Sequence, residues 1–376
     1  MDRSTAQPPA FESRITGLDL LRVLCMMMVI ILHILGQGGI LSEASPGSAH
    51  FYVAWALECL CFCAVDCYAL LSGYLSARRS RHAFTGLVLL WLEVVLYSVI
   101  YACVFRILSR EYAGKRELLN ALFPVMRRQY WYFTAFFGLS FLAPIINAGV
   151  WTLNRRAAAL LAVLVIVVFS VLPTLLCTDP FSLRGGYTAL WLVILYILGA
   201  LLNKTELQKR TAPACLAAVF LLSTALTFLL KVVFQVSIPL IGTLSPLNYT
   251  SPTVLLSAIS LLFLLGHLRV RGEKKRRVIL RLSAASFGVY ILHTNPLVWR
   301  FWFYPGVLRE FVSLPIWVFP LRVMGCSVLV YLLCFTIDSA RAFLFRKLRL
   351  RSRLESCEKR SLRLLEKGEE RTEGPR

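Results

Sequence analysis

The sequence predicts an all-α fold, a polytopic transmembrane helical bundle of about ten spans with both termini in the cytoplasm. Three observations carry this. Of the 376 residues, 58% are hydrophobic, and mean hydropathy is +0.68. Apolar runs of roughly 20 residues, the length that crosses a bilayer core, recur along nearly the whole chain. Lys and Arg collect in alternate connecting segments, as the positive-inside rule requires.

The runs place spans at roughly 16–35, 51–75, 84–106, 130–149, 157–176, 187–203, 213–235, 253–269, 284–304 and 316–340. Residues 1–15 are a polar cytoplasmic N-terminus. No small-residue cleavage site follows a short apolar stretch, so the first helix is expected to stay as an anchor. Residues 16–340 form one membrane domain without a detectable internal repeat, which counts against an inverted-repeat transporter. Residues 341–376 are expected to be a basic cytoplasmic tail. Its start, Phe343 to Leu348, suits the inner leaflet, and its end beyond about 365 is expected to be disordered.

Orientation follows from the loops. Arg78, Arg79 and Arg81 follow span 2, Arg155 and Arg156 follow span 4, Lys204, Lys209 and Arg210 follow span 6, and a run from Arg269 to Arg281 follows span 8. The alternate segments near 36–50 and 236–252 contain no Lys or Arg. Segment 107–129 breaks the rule, with Arg110, Lys115, Arg116, Arg127 and Arg128, and is expected to be an amphipathic interfacial or re-entrant piece. The net charge of +21 therefore fits membrane orientation and contact with anionic lipids better than nucleic-acid binding. Of the eleven cysteines, most lie inside spans, where thiols pack as small apolar groups. The one dense group, Cys59, Cys61, Cys63 and Cys67, has no second cluster to complete a metal site, so no metal is expected.

Ionisable groups are costly in a lipid core and mark candidate sites. The first span carries Arg22 and His33. Eleven residues are close to three helical turns, so both side chains share one face, about 16 Å apart along the axis. His33 is the best general base on the chain, since a neutral imidazole takes a proton from a hydroxyl near pH 7. Asp19 and Arg22 can pair across one turn, and the arginine can instead grip a phosphate. Asp66 can orient an imidazole by accepting its N–H. Glu58 and Glu93 are further acids inside spans, and His293 is a second intramembrane histidine. Arg78 and Arg81, three apart, can present two guanidiniums to a phosphorylated donor. Trp131 opens span 4, where an aromatic belt and a sugar-stacking surface are both open readings.

Four segments together resemble the acyltransferase-3 family of bacterial integral-membrane proteins. They are Leu18-Asp19-Leu20-Leu21-Arg22 followed by His33, then Leu70-Leu71-Ser72-Gly73-Tyr74-Leu75, then Tyr130-Trp131-Tyr132-Phe133 with Pro144, and Ser286-Phe287-Gly288-Val289-Tyr290-Ile291-Leu292-His293. The resemblance implies a multi-pass enzyme of the bacterial cell membrane that moves an acyl group, usually acetyl from acetyl-CoA, to a hydroxyl of a cell-surface carbohydrate or glycolipid. It makes His33 the essential histidine, Arg22 its catalytic companion, and Arg78 and Arg81 the donor-binding pair; on their own chemistry Asp66 is expected to join the catalytic residues, and Trp131, His293 and Glu93 to contact the substrate. The chain departs from the family pattern after Tyr74, where the stretch to the arginines is short and His82-Ala83-Phe84-Thr85-Gly86 replaces a basic, proline-marked helix start. Some relatives carry an extracellular hydrolase-like domain. This chain ends in the basic tail, so it is expected to act alone, as a homo-oligomer or with a separate partner. On the residues alone, a transporter or flippase for a lipid-linked sugar or anion uses the same buried charges without covalent chemistry.

Overall fold

The computed structural model describes residues 15–76, 84–108, 111, 113–233, 247–303 and 306–372. Its elements are helical, with no strand among the described residues. In chain order they are α1 (Thr16–Gly36), α2 (Ala49–Cys61), α3 (Ala64–Ser76), α4 (Phe84–Leu108), α5 (Lys115–Leu122), α6 (Trp131–Thr152), α7 (Arg155–Ile166), α8 (Ala189–Thr205), α9 (Pro213–Val232), α10 (Pro252–His267), α11 (Glu273–His293), α12 (Phe319–Lys347) and α13 (Leu350–Thr372). A π-helical turn at Val167–Val171 carries α7 on to Leu176.

Among the described residues, seven stretches are long and apolar enough to cross a membrane: Thr16–Gly36, Ala49–Leu75, Phe84–Leu108, Trp131–Thr152, Arg155–Leu176, Pro213–Val232 and Phe319–Lys347. Ala189–Thr205 and Pro252–His267 are equally apolar but shorter, and α11 opens on charged turns. Each of the ten predicted spans overlaps helix in its described residues, while seven of those helical stretches meet the length and hydropathy needed to cross alone.

Three boundaries differ from the sequence reading. The predicted span 51–75 breaks at Phe62–Cys63 into α2 and α3. The predicted span 284–304 is displaced: α11 starts at Glu273 and stops at His293. Pro296 ends it, because proline lacks an N–H and disfavours helical backbone before it. The Asn295 side chain accepts from Leu297 N at 3.0 Å and starts a new turn. The last span extends through Lys347, and α13 stays helical to Thr372 where disorder was expected. Its Arg351–Glu355 pair sits one helical turn apart, and Glu358 caps the start of α4 by accepting from Phe84 N at 2.8 Å and Thr85 Oγ1 at 2.5 Å. In the basic segment 107–129, α5 is a short helix with Leu118, Leu119 and Leu122 exposed.

The helix at the centre is α1. It packs against α2, α3, α10, α11 and α12, and Leu21, Ile34 and Leu35 are fully buried. At the periphery, α7 and α9 show large apolar side chains outward, as in Leu160, Leu221 and Leu222, which suits contact with acyl chains. Without a hydrophobic drive between helices in lipid, close packing and hydrogen bonds hold the bundle. Helices α9 and α10 share hydroxyls, Ser223 with Ser257 at 2.7 Å and Thr227 with Thr253 at 2.8 Å. Helices α3 and α8 touch backbone to backbone at Gly73 and Gly199, where a Cβ on either would strike the Tyr196 or Leu70 carbonyl.

Gly73→Ala should therefore lower the thermal midpoint of the detergent-purified protein, at a cost of about 1–3 kcal/mol for overpacking. Gly86→Ala, on α4 with open space around it, should be neutral or slightly stabilising. Equal midpoints for the two variants would contradict the close α3–α8 contact.

Candidate active site

A cavity of about 500 Å³ runs along one face of α1, lined by Arg22, Met26, Val29, Leu32, His33 and Gly36. The steps of four, three, three, one and three residues keep to one helical stripe. The size is ordinary for a small-molecule site. Across from α1 stand Tyr68 and Ser72 of α3, Trp131 and Tyr132 of α6, and Ser283, Ser286 and Tyr290 of α11. The loop residues Tyr187 and Tyr249 complete an aromatic wall. Trp131 and Tyr187 lie 5.3 Å apart by ring centroids, and Tyr187 and Tyr249 5.0 Å.

At one end of the cavity His33 Nδ1 meets His293 Nε2 at 3.0 Å. His293 Nδ1 meets the Val289 carbonyl at 2.6 Å, one turn back on the same helix. A carbonyl only accepts, so His293 Nδ1 carries a proton. With both rings neutral, His293 Nε2 then holds a lone pair and accepts from His33 Nδ1–H. The second nitrogen of His33, Nε2, is left unprotonated, which is the form a general base needs. The tautomers follow from the hydrogen-bond partners, fixed by one backbone carbonyl. The indole of Trp299 closes the arrangement. Its Nε1 donates to the His293 carbonyl at 3.1 Å, and its ring meets His33 edge-on at 4.9 Å. That bond satisfies a carbonyl orphaned by the helix end.

At the other end, Arg22 Nη1 pairs with Asp19 Oδ1 at 2.9 Å. Ser283 Oγ donates to the same oxygen at 3.2 Å, and Tyr68 Oη donates to the Arg22 carbonyl at 2.6 Å. Asp19 is buried while the Arg22 side chain keeps 31% exposure, so the acid is spent on positioning and the guanidinium reaches the cavity. Contacts 19–283 and 33–293 show that α1 and α11 run parallel, with Asp19, Arg22 and His33 matched to Ser283, Ser286, Tyr290 and His293.

The structure thus brings together Arg22, His33, His293 and Trp131 and separates the rest of the predicted set. Asp66 does not orient His33. Val65, Tyr68 and Ser72 are the α3 residues facing the cavity, and a residue one step past Val65 is rotated by about 100°. Asp66 is fully buried against α8, where its Oδ1 accepts from Trp191 Nε1 at 3.1 Å. Glu93 is not a cavity residue either. It meets Arg341 at 3.2 Å, beside Asp338, which accepts from Tyr97 Oη at 2.8 Å. This cluster ties α4 to α12. His293 acts behind His33 and is absent from the cavity wall. Arg78 and Arg81 lie outside the described residues. The sequence reading assigned no role to Tyr68, Tyr187, Tyr249, Tyr290 or Trp299. The seven-residue step Ser286–Tyr290–His293 on one helix face was the one signal for Tyr290.

A family model described as an acyltransferase domain matches residues 15–338. The chain belongs to the acyltransferase-3 family. Comparison with curated proteins and with solved structures gave no match. Membership, with seven helices able to cross a bilayer, makes the protein a multi-pass membrane acyltransferase. Family membership favours the enzyme reading over the transporter alternative. No group of three or more metal-ligating side chains is present among the described residues.

Histidine ¹⁵N spectra of the purified protein near neutral pH should show His33 and His293 both as the Nδ1–H tautomer, assigned by their loss in His33→Gln and His293→Gln proteins. A protonated Nε2 on His33 would contradict the hydrogen-bond chain.

Proposed function

We propose that the protein is a bacterial cell-membrane O-acyltransferase that moves an acetyl group from acetyl-CoA to a hydroxyl of a cell-surface carbohydrate or glycolipid. The observation that carries this reading is the chain of hydrogen bonds from His33 through His293 to the Val289 carbonyl, which leaves His33 Nε2 to act as a base, at one end of a cavity whose other end presents Arg22. Family membership supplies the reaction class.

In this reading the acceptor hydroxyl gives its proton to His33 Nε2 as its oxygen attacks the thioester carbonyl. The carbon–sulfur bond breaks, an ester forms, and the imidazolium returns the proton to the departing thiolate. His293 holds the ring and shares the transient positive charge through the Nδ1 hydrogen bond. General-base assistance of this kind is worth about 10²–10⁴ in rate. Arg22, about 16 Å away along the helix, suits an anionic part of the donor, because a guanidinium binds phosphate oxygens in a planar fork. The basic loops suggest that this end faces the cytoplasm. Arg78 and Arg81 are proposed to take part in donor binding, and Trp131 with its tyrosine neighbours offers flat faces for a sugar ring.

His33→Ala should lower acetyl transfer by about 10²–10⁴-fold in protein that still elutes as a single detergent-solubilised species. The assay is release of free CoA together with the mass of the esterified acceptor. Full transfer by that variant would end the assignment. His293→Gln, whose amide oxygen can still accept from His33 Nδ1, should retain more activity than His293→Ala.

A further inference from the structure

One side chain in the cavity wall has no place in the proton-transfer scheme. Glu58 lies on α2, is 8% exposed, lines the cavity, and its Oε2 has no hydrogen-bond partner among the described residues. Leaving a buried carboxyl oxygen unpaired is costly. Such an atom persists where something else completes it, and the cavity is the open side. One turn on, Phe62 stacks on Tyr249 with centroids 4.5 Å apart and planes at 19°. The carboxylate therefore stands at the edge of a flat aromatic wall that continues to Tyr187.

A cation stands on the neighbouring helix. Lys231 of α9 holds its ammonium 4.2 Å from the ring centre of Trp55, which is three residues before Glu58 on the same helix. With an ammonium already held beside α2, the position does not call for a cationic ligand. A planar hydrogen-bonding group with an open oxygen beside stacked rings matches a neutral polyol ring. The ring face lies on the aromatic wall, and a hydroxyl donates to the open carboxyl oxygen.

We propose that Glu58 positions the acceptor: it takes hydrogen bonds from hydroxyls of a neutral sugar ring and so selects which hydroxyl reaches His33. This rests on the acyltransfer reading given above. Glu58 is a positioning residue and transfers no proton.

The test uses the full detergent-purified chain with acetyl-CoA and a panel of methyl glycosides of glucose, galactose, mannose and N-acetylglucosamine. The Glu58→Leu protein, of similar size but with no acceptor, should show an acceptor KM raised about 10-fold, the order expected for a lost hydrogen bond, with the donor KM shifted less than about twofold. The position esterified, read by NMR of the product, should become less selective. In wild-type protein, the mono-deoxy analogues of the preferred glycoside give a second measurement that needs no variant. At least one hydroxyl other than the esterified one should be required for tight acceptor use, and that requirement should vanish in Glu58→Leu. An unchanged acceptor KM and ester position, or a change confined to the donor KM, would overturn the proposal. So would indifference of the wild-type enzyme to every non-reacting hydroxyl. Acetyl-CoA turnover without esterification of any glycoside would sink the role of Glu58 and leave a thioester-cleaving enzyme. No turnover of acetyl-CoA at all would sink both.

Discussion

The hydrogen bond from His33 to His293 depends on a backbone carbonyl, and the site depends on that bond. Val289 offers its oxygen to His293 Nδ1 at 2.6 Å, and from this single acceptor the protonation of both rings follows. A lone imidazole in the same place would exchange freely between tautomers. Here the order is imposed from inside helix α11, where the i to i+4 spacing places a ring nitrogen over the carbonyl one turn before it. The second ring then carries the order across to α1. A base is thereby set on the cavity side without any carboxylate beside it, so the pair does not add a negative charge to a low-dielectric bundle.

The same pair of helices also explains the cavity. Because α1 and α11 run parallel, they match polar groups at both ends, Asp19 with Ser283 and His33 with His293. Between them, α1 contributes apolar Met26 and Val29, while aromatic side chains from α6 and the loops before α8 and α10 form the opposite wall. The polar contacts at each end fix the register of the two helices, and the bulky rings keep the space between them from closing. The break of α11 at Asn295–Pro296 belongs to this design. Asn295 donates to Tyr130 Oη at 2.7 Å, and Trp299 folds back over the histidine pair.

Much of this was legible along a single helix and little of it between helices. The shared face of Arg22 and His33 follows from eleven residues and 3.6 per turn, and the cavity lies along that face. Trp131 at the wall and the helical class also follow from local pattern. The partner of His33 sits 260 residues away, beyond the reach of periodicity, so Asp66 was given the role that His293 fills. Asp66 itself was missed by one helical step of about 100°. Glu93 was misread because its partner Arg341 was counted as tail. The helix runs seven residues past the predicted end at 340, to Lys347, and that extension brings the guanidinium to the acid. The break between α2 and α3 has no proline or glycine to announce it. Glu58 was visible as an acid in a span, but only its open Oε2 and its place on the wall distinguish it from a structural acid.

The most direct test is a cryo-electron-microscopy structure of the full chain with a non-hydrolysable acetyl-CoA analogue in which a methylene replaces the thioester sulfur. The account predicts that the acyl carbonyl lies beside His33, that the His33–His293 bond is retained, and that the anionic part of the analogue lies at the Arg22 end. A cavity filled by lipid, with the analogue bound elsewhere and His33 turned away from it, would contradict the account.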